Sequence, residues 1–108
     1  MESDLVFRLL NSKEAKRIEF PGEGDITDFL SFGFSYIEQE DTFVRYVLSN
    51  PLMIKRMLTE IPDSELDPDN IKIGKIWTAD LLVSKKIRGQ RVILSSGDLN
   101  TVLVLDKY

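Results

Sequence analysis

The chain has 108 residues, of which 43% are hydrophobic and 30% charged, and its net charge is −4. This composition is typical of one soluble globular domain, and the charge argues against a general attraction to nucleic acid or anionic membranes. The sequence contains no cysteine and no histidine. That absence excludes disulfides, zinc sites of the Cys/His kind, thiolate nucleophiles and catalysis by histidine.

Residues 1–10 begin with acidic side chains, and their apolar stretch is shorter than the core of a secretory signal peptide. No segment approaches the roughly 20 apolar residues that a membrane-spanning helix needs. We therefore expect a soluble cytoplasmic protein that does not contact a membrane.

The first 24 residues carry the weakest pattern in the chain. Residues 4–17 are compatible with a helix that Ser3 or Asp4 would cap, and residues 17–20 alternate in a way that also fits a short strand. Pro21, Gly22 and Gly24 end the strand.

A second helix is predicted from Asp25 or Thr27 to about residue 39. One face of this helix carries apolar residues or glycine at helical spacing, namely Ile26, Phe29, Leu30, Gly33 and Ile37. Three further aromatic residues make the helix more apolar than a surface helix requires, and covering the core is their favoured role. Phe34 lies off the main face and is the candidate for contact with another protein.

Residues 42–48 are rich in β-branched and aromatic side chains, which predicts a strand. The strand leads directly into Asn50 and Pro51, which suit the cap and the first position of a helix. The residues that follow with helical spacing are Leu52, Met53, Met57 and Leu58. This third helix is expected to end near Pro62, because proline cannot continue it.

The remainder of the chain favours strands. Residues 71–76 alternate, and residues 80–84, 92–94 and 102–105 are apolar runs, with turn signals at 88–89 and 96–98 between them. No repeat or linker divides the chain. We therefore expect one α+β domain over residues 1–108, with a mostly antiparallel sheet flanked by two or three helices.

Two charged segments suggest binding but have simpler interpretations. The acidic residues 63–69 resemble a calcium loop, yet Pro68 stands where such a loop needs glycine, so a solvated loop is favoured and no metal is expected. The basic segment at 85–91 contains Lys85, Lys86, Arg88 and Arg91, which would suit phosphates on a β-ribbon. Because charged hairpin ends also keep a sheet edge soluble, nucleic-acid binding is the alternative interpretation.

The order of these elements resembles the axial domain of the major capsid proteins of tailed phages, a fold shared with encapsulin-type shells. The resemblance covers residues 25–105 and leaves residues 1–24 unassigned. It rests on a strand that enters a helix through Asn50 and Pro51, on Gly74 with an aliphatic residue after it, and on Gly89 before the returning strand. The family often has proline before the hairpin glycine, whereas this chain has Arg88 there.

The resemblance implies a non-enzymatic, detached or domesticated axial-type domain that acts through protein–protein contacts and needs no cofactor. The partner would be a second copy or a shell-like protein, and a monomer or small homo-oligomer is expected because the family's peripheral domain and arm have no counterpart in 108 residues. Aromatic residues near an edge, Phe34 or Trp77, are the predicted interface.

Overall fold

The computed structural model describes residues 4–22, 24–61, 64–65, 75–77 and 79–107. This part of the chain forms three helices and seven strands. Its elements in chain order are α1 (Asp4–Leu10), β1 (Lys16–Glu19), α2 (Ile26–Glu38), β2 (Val44–Ser49), α3 (Pro51–Glu60), β3 (Ser64–Glu65), β4 (Lys75–Ile76), β5 (Ala79–Val83), β6 (Val92–Ser96) and β7 (Val102–Asp106).

The strands form one mixed sheet in the order β1-β7-β6-β2-β5-β4-β3. The β1/β7 and β2/β5 neighbours are parallel, whereas the other four neighbouring pairs are antiparallel. The predicted class, an α+β domain with a mostly antiparallel sheet and flanking helices, is confirmed.

Helices cover both faces of the sheet, but unequally. The larger core lies between the sheet and the pair α2 and α3, and it contains Phe29 and Met57. The smaller core lies under α1, where Val6 and Leu9 pack against the sheet. Alternation along β6 serves both cores, since Leu94 belongs to the first and Ile93 to the second. We call these two sides the α2/α3 face and the α1 face.

The limits of α2 agree with the prediction because local capping chemistry sets its start. The Asp25 carboxylate accepts a hydrogen bond from the Asp28 amide at 3.0 Å, and the Asp28 carboxylate accepts one from the Asp25 amide at 3.3 Å. This reciprocal pair is a capping box, which satisfies donors that the first helical turn leaves unpaired. All five residues of the predicted face are buried.

The possible helix over residues 4–17 is wrong beyond Leu10. There the Asn11 side chain donates to the Phe7 carbonyl at 2.8 Å, and α1 ends. Residues 16–19 instead pair with β7, which brings Ile18 against the α2/α3 core. The short strand predicted at 17–20 is therefore correct to within one residue. Lys16 and Arg17 lie in a strand and not in the predicted helix, because they pair with β7 near the other end of the chain.

Several predictions in the middle of the chain fall on residues that the structure does not describe. Gly74 and most of the acidic segment 63–69 lie outside the described residues. The described pieces nearby are β3 and β4, which pair antiparallel with each other. Of the predicted strand at 71–76, β4 is the described portion.

The predicted turn at 96–98 joins β6 to β7 through a network around Asp98. The Ser96 hydroxyl donates to the Asp98 carboxylate at 2.6 Å, and the Asn100 amide donates to it at 3.0 Å. These donors, the Ser96 hydroxyl first, hold the pKa of Asp98 below its usual value. Because the pKa is lower in the folded state, this contribution to stability is present at neutral pH and is lost as pH falls through the lowered pKa.

Gly33 sets how closely α2 approaches the sheet. A Cβ atom at this position would lie 3.0 Å from a methyl group of Leu94 and 3.1 Å from a methyl group of Leu105. Both contacts are tighter than ordinary van der Waals separation, although each neighbour is the end of a flexible side chain. The sequence therefore places its smallest residue where the helix and the sheet meet.

We expect Gly33→Leu to destabilise the domain by about 1–3 kcal/mol, because the added side chain overpacks this contact. Gly33→Ala should be close to neutral, since a helix-propensity gain of about 1 kcal/mol offsets the displacement of two methyl groups. Urea denaturation measures both free energies. The control is Ser31→Leu on the exposed side of α2, and an equal effect there would contradict the close approach of α2.

Candidate functional site

A network of side-chain and backbone hydrogen bonds lies where β2 and β5 end side by side. These strands are parallel, and Ser49 at the end of β2 pairs with Val83 at the end of β5. After this point β2 continues into α3, whereas β5 continues into the loop 84–91 that leads to β6. We call residues 49–52 and 83–91 the junction end of the sheet.

Asn50 caps α3 as the sequence predicts. Its backbone is extended, at φ −81° and ψ 166°, and its side-chain oxygen accepts a hydrogen bond from the Met53 amide at 2.9 Å. Pro51 occupies the first helical turn, where a missing N–H costs no helical hydrogen bond. The strand-to-helix switch is thus a consequence of these two adjacent residues.

The other end of the Asn50 side chain makes a contact that the sequence does not reveal. Its amide nitrogen donates to the Gly89 carbonyl at 2.8 Å, across a separation of 39 residues. Gly89 has φ +69°, in the left-handed region that favours glycine, although nothing lies within 4 Å of a Cβ atom placed there. Glycine is therefore required here by the backbone conformation. Asn50, Pro51 and Gly89, predicted as separate signatures, form one structural unit.

Ser49 is a second anchor of the loop 84–91, and the sequence analysis missed it. Its hydroxyl donates to the Arg91 carbonyl at 2.7 Å, and its carbonyl accepts from the Ser84 amide at 2.9 Å. Ser49 is fully buried, so its polar groups need such partners. Its only signal in the sequence is a hydroxyl at the end of an otherwise apolar strand. With Asn50, it fixes the loop near its beginning, near Gly89 and at its end.

The four basic residues predicted as a nucleic-acid contact do not act as one group. Arg91 forms an ion pair with Asp106 of β7, with nitrogen–oxygen distances of 2.7 and 3.3 Å. Lys85, Lys86 and Arg88 are exposed on the loop. Because a neighbouring carboxylate pairs with Arg91, the four residues do not form one cationic group.

An open groove of about 430 Å³ lies beside α1. Its apolar side includes Ile93 and Val104, and its cationic side contains Arg17, Lys86 and Arg91. The described side chains that line it include no carboxylate, although Arg91 is paired with Asp106 of β7. The sequence could not predict this groove, since its lining comes from four separate parts of the chain.

Phe34 and Trp77, the predicted interface residues, contact each other. Their rings meet edge to face with centroids 4.8 Å apart, and Phe34 is only 7% exposed. Trp77 is half-buried against the same core. This burial corrects the expectation that Phe34 lies at an exposed edge, because its position on α2 turns it toward Trp77, which directly follows β4.

The exposed apolar side chains near the junction end are Leu52, at 70%, and Val83, at 38%. Leu52 was expected on the apolar stripe of α3, but that stripe is formed by Met53, Ile54 and Met57. The packing of α3 against the sheet selects a face rotated away from Leu52. The junction end therefore combines anchored backbone with exposed aliphatic surface.

Within the described residues no helix is long and apolar enough to cross a membrane, and no three acidic side chains are grouped to hold a metal ion. The chain matches no protein-family model, no curated protein and no solved structure. The resemblance to a capsid axial domain thus rests on the order of elements and stays a prediction.

Replacing Asn50 by Ala should lower the free energy of unfolding by about 1–2 kcal/mol, through loss of the cap and of the bond to Gly89. Asn50→Asp separates the two roles, since a carboxylate still caps α3 but has no hydrogen to donate to the Gly89 carbonyl. We expect faster hydrogen exchange of the Met53 amide in the Ala variant alone. Equal Met53 exchange in Asn50→Ala and the wild type would show that Asn50 is not the cap.

Proposed function

We propose that this chain is a non-enzymatic domain that acts through contacts with other protein chains, in the manner of an axial domain of the phage-capsid type. The observation that carries the proposal is the pair of hydrogen bonds made by the Asn50 side chain, to Met53 and to Gly89. It joins the strand-to-helix signature to Gly89, two of the features on which the resemblance rests. The hairpin expected around Gly89 does not form, because β5 and β6 lie on either side of β2 and do not pair with each other.

The surface at the junction end supports a role in protein contacts. The loop 84–91 is held at Ser49 and Asn50, so it would lose little conformational freedom when a partner binds. Leu52 and Val83 supply exposed apolar area at the same end of the sheet. A preorganised backbone beside apolar side chains is a favourable arrangement for docking.

The proposed partner is a second copy of this chain or a shell-like protein. Among the residues that the structure describes, the exposed large apolar side chains are few, namely Phe7, Phe43, Leu52 and Val83. Such a surface favours a modest interface over an obligate one. We therefore expect self-association to be concentration-dependent and limited to small species with closed symmetry.

Light scattering after gel filtration, across a concentration series, should show a monomer in equilibrium with a dimer. The physical reason is that a small contact area gives weak association. A five- or six-membered ring would also agree with the proposal and would favour the capsid-type arrangement. Particles of megadalton mass would contradict the expected small assembly.

Nucleic-acid binding is the second candidate, because Lys85, Lys86 and Arg88 are exposed on an anchored loop. Three cations release few counterions, so any binding should be weak and should fall steeply as salt rises. The pairing of Arg91 with Asp106 lowers the positive charge available. Protein contact is accordingly the favoured function.

Replacing Lys85, Lys86 and Arg88 together by Ser should leave folding and self-association unchanged. Arg91 is kept, so that its ion pair with Asp106 survives. Fluorescence anisotropy with a duplex DNA probe, over a salt series, measures any binding by the wild type and the triple variant. Tight DNA binding that persists at physiological salt and disappears in the triple variant would overturn the ordering of the two functions.

A further inference from the structure

β1 is an edge strand of the sheet. It pairs with β7 on one side, and no described strand pairs with its other side. An edge strand of this kind presents backbone N–H and C=O groups that another strand can bind. The backbone and the charges of β1 together indicate which strand fits.

One hydrogen bond shows which residues of β1 point their backbone N–H and C=O groups toward β7 and which point them toward the open edge. The Phe20 amide donates to the Asp106 carbonyl at 2.8 Å, so Phe20 directs its backbone toward β7. Successive residues of a strand direct their N–H and C=O groups to opposite sides. Lys16 and Ile18 therefore face β7, whereas Arg17 and Glu19 present their backbone groups at the open edge.

Pairing with a second copy about a two-fold axis requires outward-facing residues to lie opposite one another. An axis at Arg17 or at Glu19 would place that charged residue opposite its own copy. An axis at Ile18 places Arg17 opposite Glu19 of the second copy, and Glu19 opposite Arg17. In this register the outward-facing N–H and C=O groups of Arg17 form hydrogen bonds with those of Glu19 in the second copy. The same holds for Glu19 and the Arg17 of the second copy.

We infer that β1 binds β1 of a second copy in this antiparallel register and joins the two seven-stranded sheets into one. Ile18 meets its own copy at the axis, and two reciprocal Arg17–Glu19 pairs flank it. Charges on an edge usually discourage strand pairing. Here the same charges are repulsive in the two alternative two-fold registers and complementary in this one. The inference rests on the proposed function and assigns a surface to its self-association.

The side chains of Arg17 and Glu19 are available for this contact. Both residues are exposed, and neither side chain forms an ion pair with another described residue. Since β1 alternates, the two side chains share one side of the strand, and Arg17 lines the groove on the α1 face. Ile18 lies on the opposite side, against the α2/α3 core.

The test is a charge exchange measured by sedimentation equilibrium. Arg17→Glu and Glu19→Arg should each weaken the dimer by about tenfold or more, because each places like charges opposite one another twice. The double variant Arg17→Glu/Glu19→Arg should dimerise again. An equimolar mixture of the two single variants should form a heterodimer, in which every pair is again of opposite charge.

Matched controls separate this register from a general effect of net charge. Lys13→Glu and Glu14→Arg make the same changes of charge at exposed positions just before β1, and they should leave the dimer unchanged. Thermal denaturation of each variant verifies that the fold is intact. Leu52→Ser/Val83→Ser should also dimerise like the wild type, because those residues lie at the junction end.

Three results would overturn the inference, and each has a different consequence for the proposed function. Wild-type affinity in both single charge variants would exclude the β1 edge and leave self-association through another surface. Loss of the dimer in Leu52→Ser/Val83→Ser alone would place the contact at the junction end. A wild-type chain that stays monomeric at every concentration would refute β1 pairing and leave docking to a different protein as the proposed function.

Discussion

The fold depends on one side chain that satisfies two parts of the backbone at once. Asn50 accepts from the Met53 amide and donates to the Gly89 carbonyl, so the start of α3 and the loop before β6 are held at the same point. The carboxamide is suited to this position because it offers an acceptor and a donor on one short, planar group. A carboxylate or a hydroxyl would reproduce the cap without the same pair of contacts. Hydrogen bonds of Asn50 therefore hold α3 against the end of β2 and the loop between β5 and β6, in addition to the apolar packing of the core.

The two faces of the sheet are covered to different extents, and this inequality explains where the exposed surface lies. On the α2/α3 face, two helices of 13 and 10 residues bury a continuous apolar core. On the α1 face, a helix of 7 residues covers a smaller cluster, and an open groove remains beside it. The groove is lined by three long cationic side chains, those of Arg17, Lys86 and Arg91. Their aliphatic portions cover part of the sheet that a longer helix would cover. The ion pair between Arg91 and Asp106 joins neighbouring strands across the same region.

The junction end and the β1 edge are separate surfaces, and their separation bears on how the domain would assemble. In the strand order, β1 lies at one edge of the sheet, whereas β2 and β5 lie in its interior. A two-fold contact through β1 would leave the loop 84–91 of each copy open to a different partner. If β1 pairs as proposed, each copy would meet one neighbour through this edge and could meet another through the junction end. Isologous pairing at β1 alone would close as a dimer.

The sequence by itself determined those features whose causes are local. The capping of α3 follows from adjacent residues, Asn50 and Pro51, and the buried face of α2 follows from apolar spacing that matches the helical period. The strands β5, β6 and β7 could be placed for the same reason, since apolar runs between turn signals need no knowledge of their partners. The α+β class was therefore predictable.

Tertiary structure decided everything that depends on distant partners. Residues 16–19 are a strand because β7 lies beside them, and Leu52 is exposed because α3 rotates Ile54 into the core. Phe34 is buried because Trp77 meets its ring, and Arg91 is neutralised because Asp106 lies on the neighbouring strand. The bond from Asn50 to Gly89 belongs to the same group, although the sequence singles out both residues. Local periodicity specifies which side of an element is apolar, but the pairing of strands and the packing of helices choose which groups actually meet.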